Sequence, residues 1–214
     1  MNVAILTAVT DHYDTLREIV PQTVEHEAIC VTDDPDLRSD TWNVVYEDRG
    51  DVHPNRAAKH PKCCPWRYTD ADLTIWIDAS FEIVSPQFVY AMSIYDHAQF
   101  RHPWRDCAYD EARVSLEMAK YANEPLVGQM ADMRERGHPN GWGLWASGLI
   151  VRRRSDVQEK FGQAWLDDIY RWSFQDQVSQ PPVLREHGLR PDVIPGFYHE
   201  GQNPWLVWKG SGRH

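Results

Sequence analysis

Apolar and β-branched residues run almost uninterrupted through residues 2–9, 27–32, 73–77 and 143–151. Runs of this length read as strands buried on both faces, as in a parallel sheet covered by helices. Residues 41–46 predict another strand, and 99–102 and 189–194 predict shorter ones. Elsewhere the period changes. Val157, Phe161, Trp165, Ile169 and Trp172 share one face of a helix over 156–172, and Ala108, Ala112, Leu116 and Ala119 do so over 107–122. Further helices are expected over 14–20 (stopped by Pro21), 86–98 and 126–136, and from about Phe174, interrupted by Pro181-Pro182. Residues 54–68 read as short helical pieces broken by Pro61 and Pro65. This succession predicts a Rossmann-like α/β fold, a mixed and mostly parallel sheet flanked by helices.

The stretch LTIWIDASFEIV, residues 73–84, stands at the centre of this pattern. Its strand ends in Asp78, and ligands of open α/β sheets sit outside the carboxyl ends of the strands. The small Ala79 and Ser80 let a ligand approach the backbone; a turn-capping role for Asp78 is the alternative. Arg56 and Lys59, three apart, share a helix face and suit a diphosphate, with a solvated face as the alternative. A G-x-G-x-x-G loop is absent, which speaks against a dinucleotide. That absence leaves room for a nucleotide held by other means.

Composition narrows this picture. The 214 residues suit one domain over 1–208, with 209–214 as a flexible tail. A net charge of −10 disfavours nucleic acid and acidic membranes as partners, and Arg152-Arg153-Arg154 reads as a solvated strand end. No apolar run approaches membrane-spanning length, and the N-terminus reads as a strand rather than a leader. The four cysteines form no CxxC pair, and the adjacent Cys63 and Cys64 are poor disulfide partners. All four are expected reduced and mostly buried, which points to the cytoplasm. Ten tryptophans serve either a dense core or sugar-stacking platforms.

Several motifs follow one another over about residues 50–185. They are Lys59…Pro61…Trp76-Ile77-Asp78-Ala79-Ser80, then His102…Arg105-Asp106-Cys107-Ala108-Tyr109-Asp110-Glu111-Ala112. Gly143-Leu144…Gly148-Leu149-Ile150-Val151-Arg152 and Ser173-Phe174-Gln175-Asp176-Gln177 follow. In order and spacing they resemble a glycosyltransferase-like family long catalogued as a domain of unknown function, with plant, bacterial and phage members. Such proteins are similar to GT-A transferases, whose hallmark is Asp-x-Asp at the end of a central strand; here Ser80 takes the second Asp position. His199-Glu200-Gly201-Gln202-Asn203-Pro204-Trp205 is similar to the donor-closing His-x-Gly-x-x-Lys-Pro-Trp segment of glycogenin-like enzymes, with Asn203 in place of Lys.

The resemblance implies a single GT-A-like domain that transfers a sugar from a nucleotide-sugar donor. Asp78, Ser80 and His199 would hold Mn²⁺ or Mg²⁺ against the diphosphate. Thr7, Ala8, Asp33, Arg56, Lys59, Asp78, Ala79 and Ser80 would bind the donor. Asp176 and Gln177, at a helix start capped by Ser173, would face the sugar's reacting carbon. Trp142 and Trp145 would stack on a sugar ring, with core packing as the alternative. Glu111, beside Arg105 and Arg113, reads as an ion-pair member. A non-catalytic nucleotide- or carbohydrate-binding module and a phosphohydrolase remain alternatives; Ser80 breaks the pattern of the latter.

Overall fold

The computed structural model describes residues 1–196 and 203–210. Strands β1 (Val3–Val9), β2 (Glu27–Thr32), β3 (Asn43–Tyr46) and β4 (Leu73–Ile77) pair in parallel, in the spatial order β3-β2-β1-β4. Between β3 and β4 lie α1 (Pro54–Ala57), α2 (Lys59–Cys63) and a 3₁₀ turn at Pro65–Arg67. After β4 come β5 (Phe81–Ile83), α3 (Phe88–Met92), β6 (His97–Arg101), α4 (Ala108–Leu116) and α5 (Leu126–Glu135). The chain continues through β7 (Trp145–Arg153), α6 (Asp156–Arg171), α7 (Asp176–Glu186), β8 (Asp192–Val193) and β9 (Leu206–Trp208).

The main sheet has seven strands in the order β3-β2-β1-β4-β7-β6-β8, and only β7 runs against its neighbours. Alternate residues of each strand face opposite sides. Leu6, Trp76 and Ile150 enter one apolar core with Phe161 and Trp165 of α6, while Ile5, Ile75 and Val151 enter another with Phe88 and Val89 of α3. Burial on both faces explains why the strands read as continuous apolar runs. The Rossmann-like α/β expectation therefore holds.

Five local expectations are corrected. Residues 14–20 form no helix: the Ile19 amide donates to Thr41 Oγ1 and Trp42 Nε1 donates to the Arg17 carbonyl, so side chains replace the helical ladder. Pro21 also disfavours a helical Val20. The helix expected over 86–98 is confined to α3, where the Ser93 hydroxyl donates back to the Val89 carbonyl; the one over 107–122 ends at Leu116 and resumes only as a 3₁₀ turn at Ala119–Tyr121. Helix α7 continues through Pro181 and Pro182, because burial from Val178 to Leu184 and the bonds of Ser179 and Gln180 to Gln129 and Gln99 hold it. Finally, Arg152 is fully buried rather than solvated, since strand alternation turns it inward beneath α2.

Candidate functional site

Strand β4 ends at Asp78, whose amide donates to the Gly148 carbonyl at 2.9 Å, and the Phe81 amide closes a turn onto the Asp78 carbonyl at 3.0 Å. A Cβ on Gly148 would lie 2.8 Å from the Phe81 ring, so glycine is what lets β7 approach this turn. Trp76 Nε1 donates to Asp78 Oδ1 at 2.7 Å, and Lys62 Nζ reaches the same oxygen at 3.2 Å. One carboxylate oxygen is thereby committed to the protein.

Lys62 is the hub. Its ammonium, with a side chain only 2% exposed, lies 2.6 Å from Asp176 Oδ2 and 3.3 Å from Ser147 Oγ. Lys59, one helical turn earlier on α2, donates to Asp176 Oδ2 at 2.9 Å. The Ser147 hydroxyl donates to Asp176 Oδ1 at 2.9 Å, and Trp165 Nε1 donates to the Asp176 carbonyl at 3.0 Å. Burial alone would raise the Asp176 pKa, but Lys59 and Lys62 outweigh it and hold the carboxyl well below the usual range. Burial likewise works against the Lys62 charge, yet Asp176 and Asp78 raise its pKa above an ordinary lysine value.

Arg152 fixes the end of α2 by donating to the Cys63 and Lys62 carbonyls at 2.9 and 2.5 Å. Burial lowers its pKa to about 10. Gly162 of α6 completes this support: a Cβ there would lie 2.1 Å from the Cys63 carbonyl oxygen, so only glycine admits the helix so closely.

Asp78 and Lys59 open onto a cleft of about 260 Å³ lined also by Ala8, Thr10, Tyr13, Asp14, Asn55, Ala58, Trp76, Ala79, Ser80, Lys120 and Trp208. A second cavity of about 120 Å³ shares Ala8 and Thr10 and runs over the ends of β1 and β2 past Val31, Thr32, Asp33, Arg49 and Val52. The C-terminal strand β9 pairs with β5, and the Lys209 amide donates to the Ser80 carbonyl, which brings Trp208 to the cleft wall.

Of the donor residues expected from sequence, Ala8, Lys59, Asp78, Ala79 and Ser80 meet in this cleft, and Asp33 lines the adjoining cavity, bonded to Arg49 Nε at 2.6 Å. Thr7 does not join them: one residue from Ala8 in a strand, its side chain is buried on the opposite face. Arg56 is turned away to Glu124 at 2.9 Å and the Trp172 carbonyl at 3.1 Å.

Asp176, expected to face the sugar, is buried with both oxygens occupied, and Gln177 donates to the Trp145 carbonyl at 3.3 Å. Gln175, not Ser173, occupies the cap position of α7. Trp145 is a core residue, and Trp142 packs edge-on against it beneath Arg190, so the Trp145 ring offers no sugar platform. Glu111 pairs with Arg105 as expected, while Arg113 pairs with Asp110 instead. All four cysteines are free and buried. His199 and Gly201 lie outside the described residues. Asn203 is structural: its Oδ1 accepts the amides of Trp205 and Leu206 at 2.9 and 3.0 Å, setting the turn into β9.

Sequence reading missed Lys62, Ser147, Lys120 and Trp208. Lys62 carried a usable signal, since it follows Lys59 by three residues on the same short helix. The others come from distant segments and carried none.

As a divalent-metal site the described residues fit poorly. No group of three His, Cys, Asp or Glu side chains converges among them. At the cleft, Asp78 has one oxygen tied to Lys62 and Trp76 and only the other to offer, beside the single hydroxyl of Ser80 and the Asp14 carboxylate. A hard cation seeks several oxygen ligands, usually including more than one carboxylate, and an adjacent ammonium repels it.

No family model matches the chain, and no curated protein is significantly similar to it. The fold and site thus define an α/β protein with a charged cleft at the carboxyl edge of a Rossmann-like sheet.

Proposed function

We propose that this chain is a nucleotide-sugar-dependent glycosyltransferase. One observation carries the reading: the Asp78-Ala79-Ser80 turn floors a charged cleft that continues, through Ala8 and Thr10, into a second cavity over β1 and β2. Such a trough suits a donor with three chemically distinct parts. The base lies over Val31 and Asp33, the diphosphate lies beside Lys59, and the sugar lies toward Asp78 and Trp208. Carboxyl-edge placement is where open α/β sheets bind nucleotides. The motif order described above points to the same class.

In this reading Asp78 orients the donor through its outward oxygen while its other oxygen stays tied to Lys62 and Trp76. Asp176 is a positioning residue, not a base: a carboxylate held ionised by two lysines is a weak proton acceptor. Its task is to hold Lys59 at the cleft wall and Lys62 behind it.

The test is a nucleotide-sugar panel scored by isothermal titration and by slow release of free sugar. One donor is expected to bind with Kd within about 1 μM–1 mM, the range typical of enzyme substrates. Asp78→Ala is expected to weaken that donor at least about tenfold, the loss of one charged hydrogen bond, with an unchanged circular dichroism spectrum. Failure of every donor to bind, or unchanged affinity in a folded Asp78→Ala protein, would refute the reading.

A further inference from the structure

We propose that the cleft is a metal-independent diphosphate site, in which the ammonium groups of Lys59 and Lys120 take the neutralising role of a divalent cation. For the nucleoside part of the ligand this rests on the glycosyltransferase reading; the anion site stands on its own geometry.

Lys59 and Lys120 come from segments far apart in sequence, α2 and the 3₁₀ turn after α4, yet both line the same cleft. Lys59 is steered there by Asp176, and Lys62 stands behind the pair, locked between Asp176 and Asp78. Lys120 stands over the Tyr121 ring at 4.6 Å and makes no ion pair with a carboxylate among the described residues. Asp176 already joins Lys59 and Lys62, so Lys120 is the charge at this wall that an entering anion would pair, with Lys59 beside it. The surrounding protein and then Lys59 lower the Lys120 pKa, partly offset by Asp176 and Asp78. Thr10, Tyr13, Asn55 and Ser80 add neutral hydrogen-bonding groups.

The carboxylates are placed so that the ammonium groups of Lys59 and Lys120 stay available to a ligand. Asp176 is buried behind the lysines, and Asp78 has one oxygen committed to Lys62. Asp14 is the further acid in the lining. A diphosphate needs several charge-assisted donors, which lysines supply as point charges.

Inorganic pyrophosphate and a panel of nucleoside diphosphates are titrated calorimetrically into the full chain, in EDTA and in Mn²⁺. Wild type is compared with Lys120→Met, at an exposed position, and with Lys59→Met, each checked for an unchanged circular dichroism spectrum. Pyrophosphate is expected to bind in EDTA, with affinity reduced about tenfold by either substitution. Binding only in Mn²⁺, no pyrophosphate binding in either buffer, or EDTA affinity unchanged in Lys120→Met would overturn the proposal. A nucleoside diphosphate that binds only with Mn²⁺ overturns it while leaving the glycosyltransferase reading intact. Lysine-dependent pyrophosphate binding unimproved by any nucleoside supports the site and removes the glycosyltransferase reading.

Discussion

Replacing Lys62 by methionine keeps the aliphatic stem and deletes only the ammonium. Three contacts vanish together: 2.6 Å to Asp176, 3.2 Å to Asp78 and 3.3 Å to Ser147. Leaving a buried charge without its partner costs about 3–5 kcal/mol. Asp176 retains Lys59 and the Ser147 hydroxyl, and Asp78 retains Trp76, so the lower end applies, about 3 kcal/mol. In the double variant Lys62→Met/Asp176→Asn the buried pair is removed from both sides, and part of the loss returns although Lys59 loses its carboxylate and Asp78 its ammonium. A coupling energy of about 2 kcal/mol is therefore expected from the double-mutant cycle. The assay is urea unfolding at pH 7 followed by tryptophan fluorescence, with slopes checked for constancy. The native pKa of Asp176 is depressed, so its stabilising contribution is fully present above about pH 4 and is lost only as pH falls toward that depressed value. A loss below about 1 kcal/mol for Lys62→Met, or a coupling within the ~0.5 kcal/mol expected of independent sites, would refute the buried-hub argument.

Three further outcomes are expected. Burial raises Asp168 to about 6 despite Arg136, so the native state holds this proton more tightly than the unfolded chain; stability contributed here falls as pH rises from about 4 to 6, by up to ~1.4 kcal/mol per pH unit. Urea midpoints across that window should show the slope lost in Asp168→Asn, and parallel curves would contradict it. Gly162→Ala places a methyl 2.1 Å from the Cys63 carbonyl oxygen and is expected to cost about 1–3 kcal/mol through displacement of α2; a thermal midpoint equal to wild type would be the contrary result. Asn203→Ala removes the acceptor for two amides, including that of the buried Leu206, at a cost of about 1–3 kcal/mol, checked by the same unfolding measurement and contradicted by an unchanged midpoint.

The sequence alone determined the sheet and the position of its principal carboxylate. Strands buried on both faces leave continuous apolar runs, so β1, β2, β4 and β7 were legible, and the amphipathic stripe of α6 was equally plain. Asp78 followed from the strand it ends. What escaped was whatever depends on where a side chain finds its partner. Residues 14–20 carry a weak helical pattern that Thr41 and Trp42 override from outside the segment. Arg56 and Lys59 look equivalent in the chain, yet one turns to Glu124 and the other to Asp176. The arginine run conceals one buried member, because strand alternation and the open carbonyls of α2 select Arg152. Lys62, Ser147 and Asp176 lie 85 and 29 positions apart and meet only once β7, α2 and α7 have packed. Local patterns are written in neighbouring residues; a charge's partner, and hence its chemistry, is fixed by long-range packing.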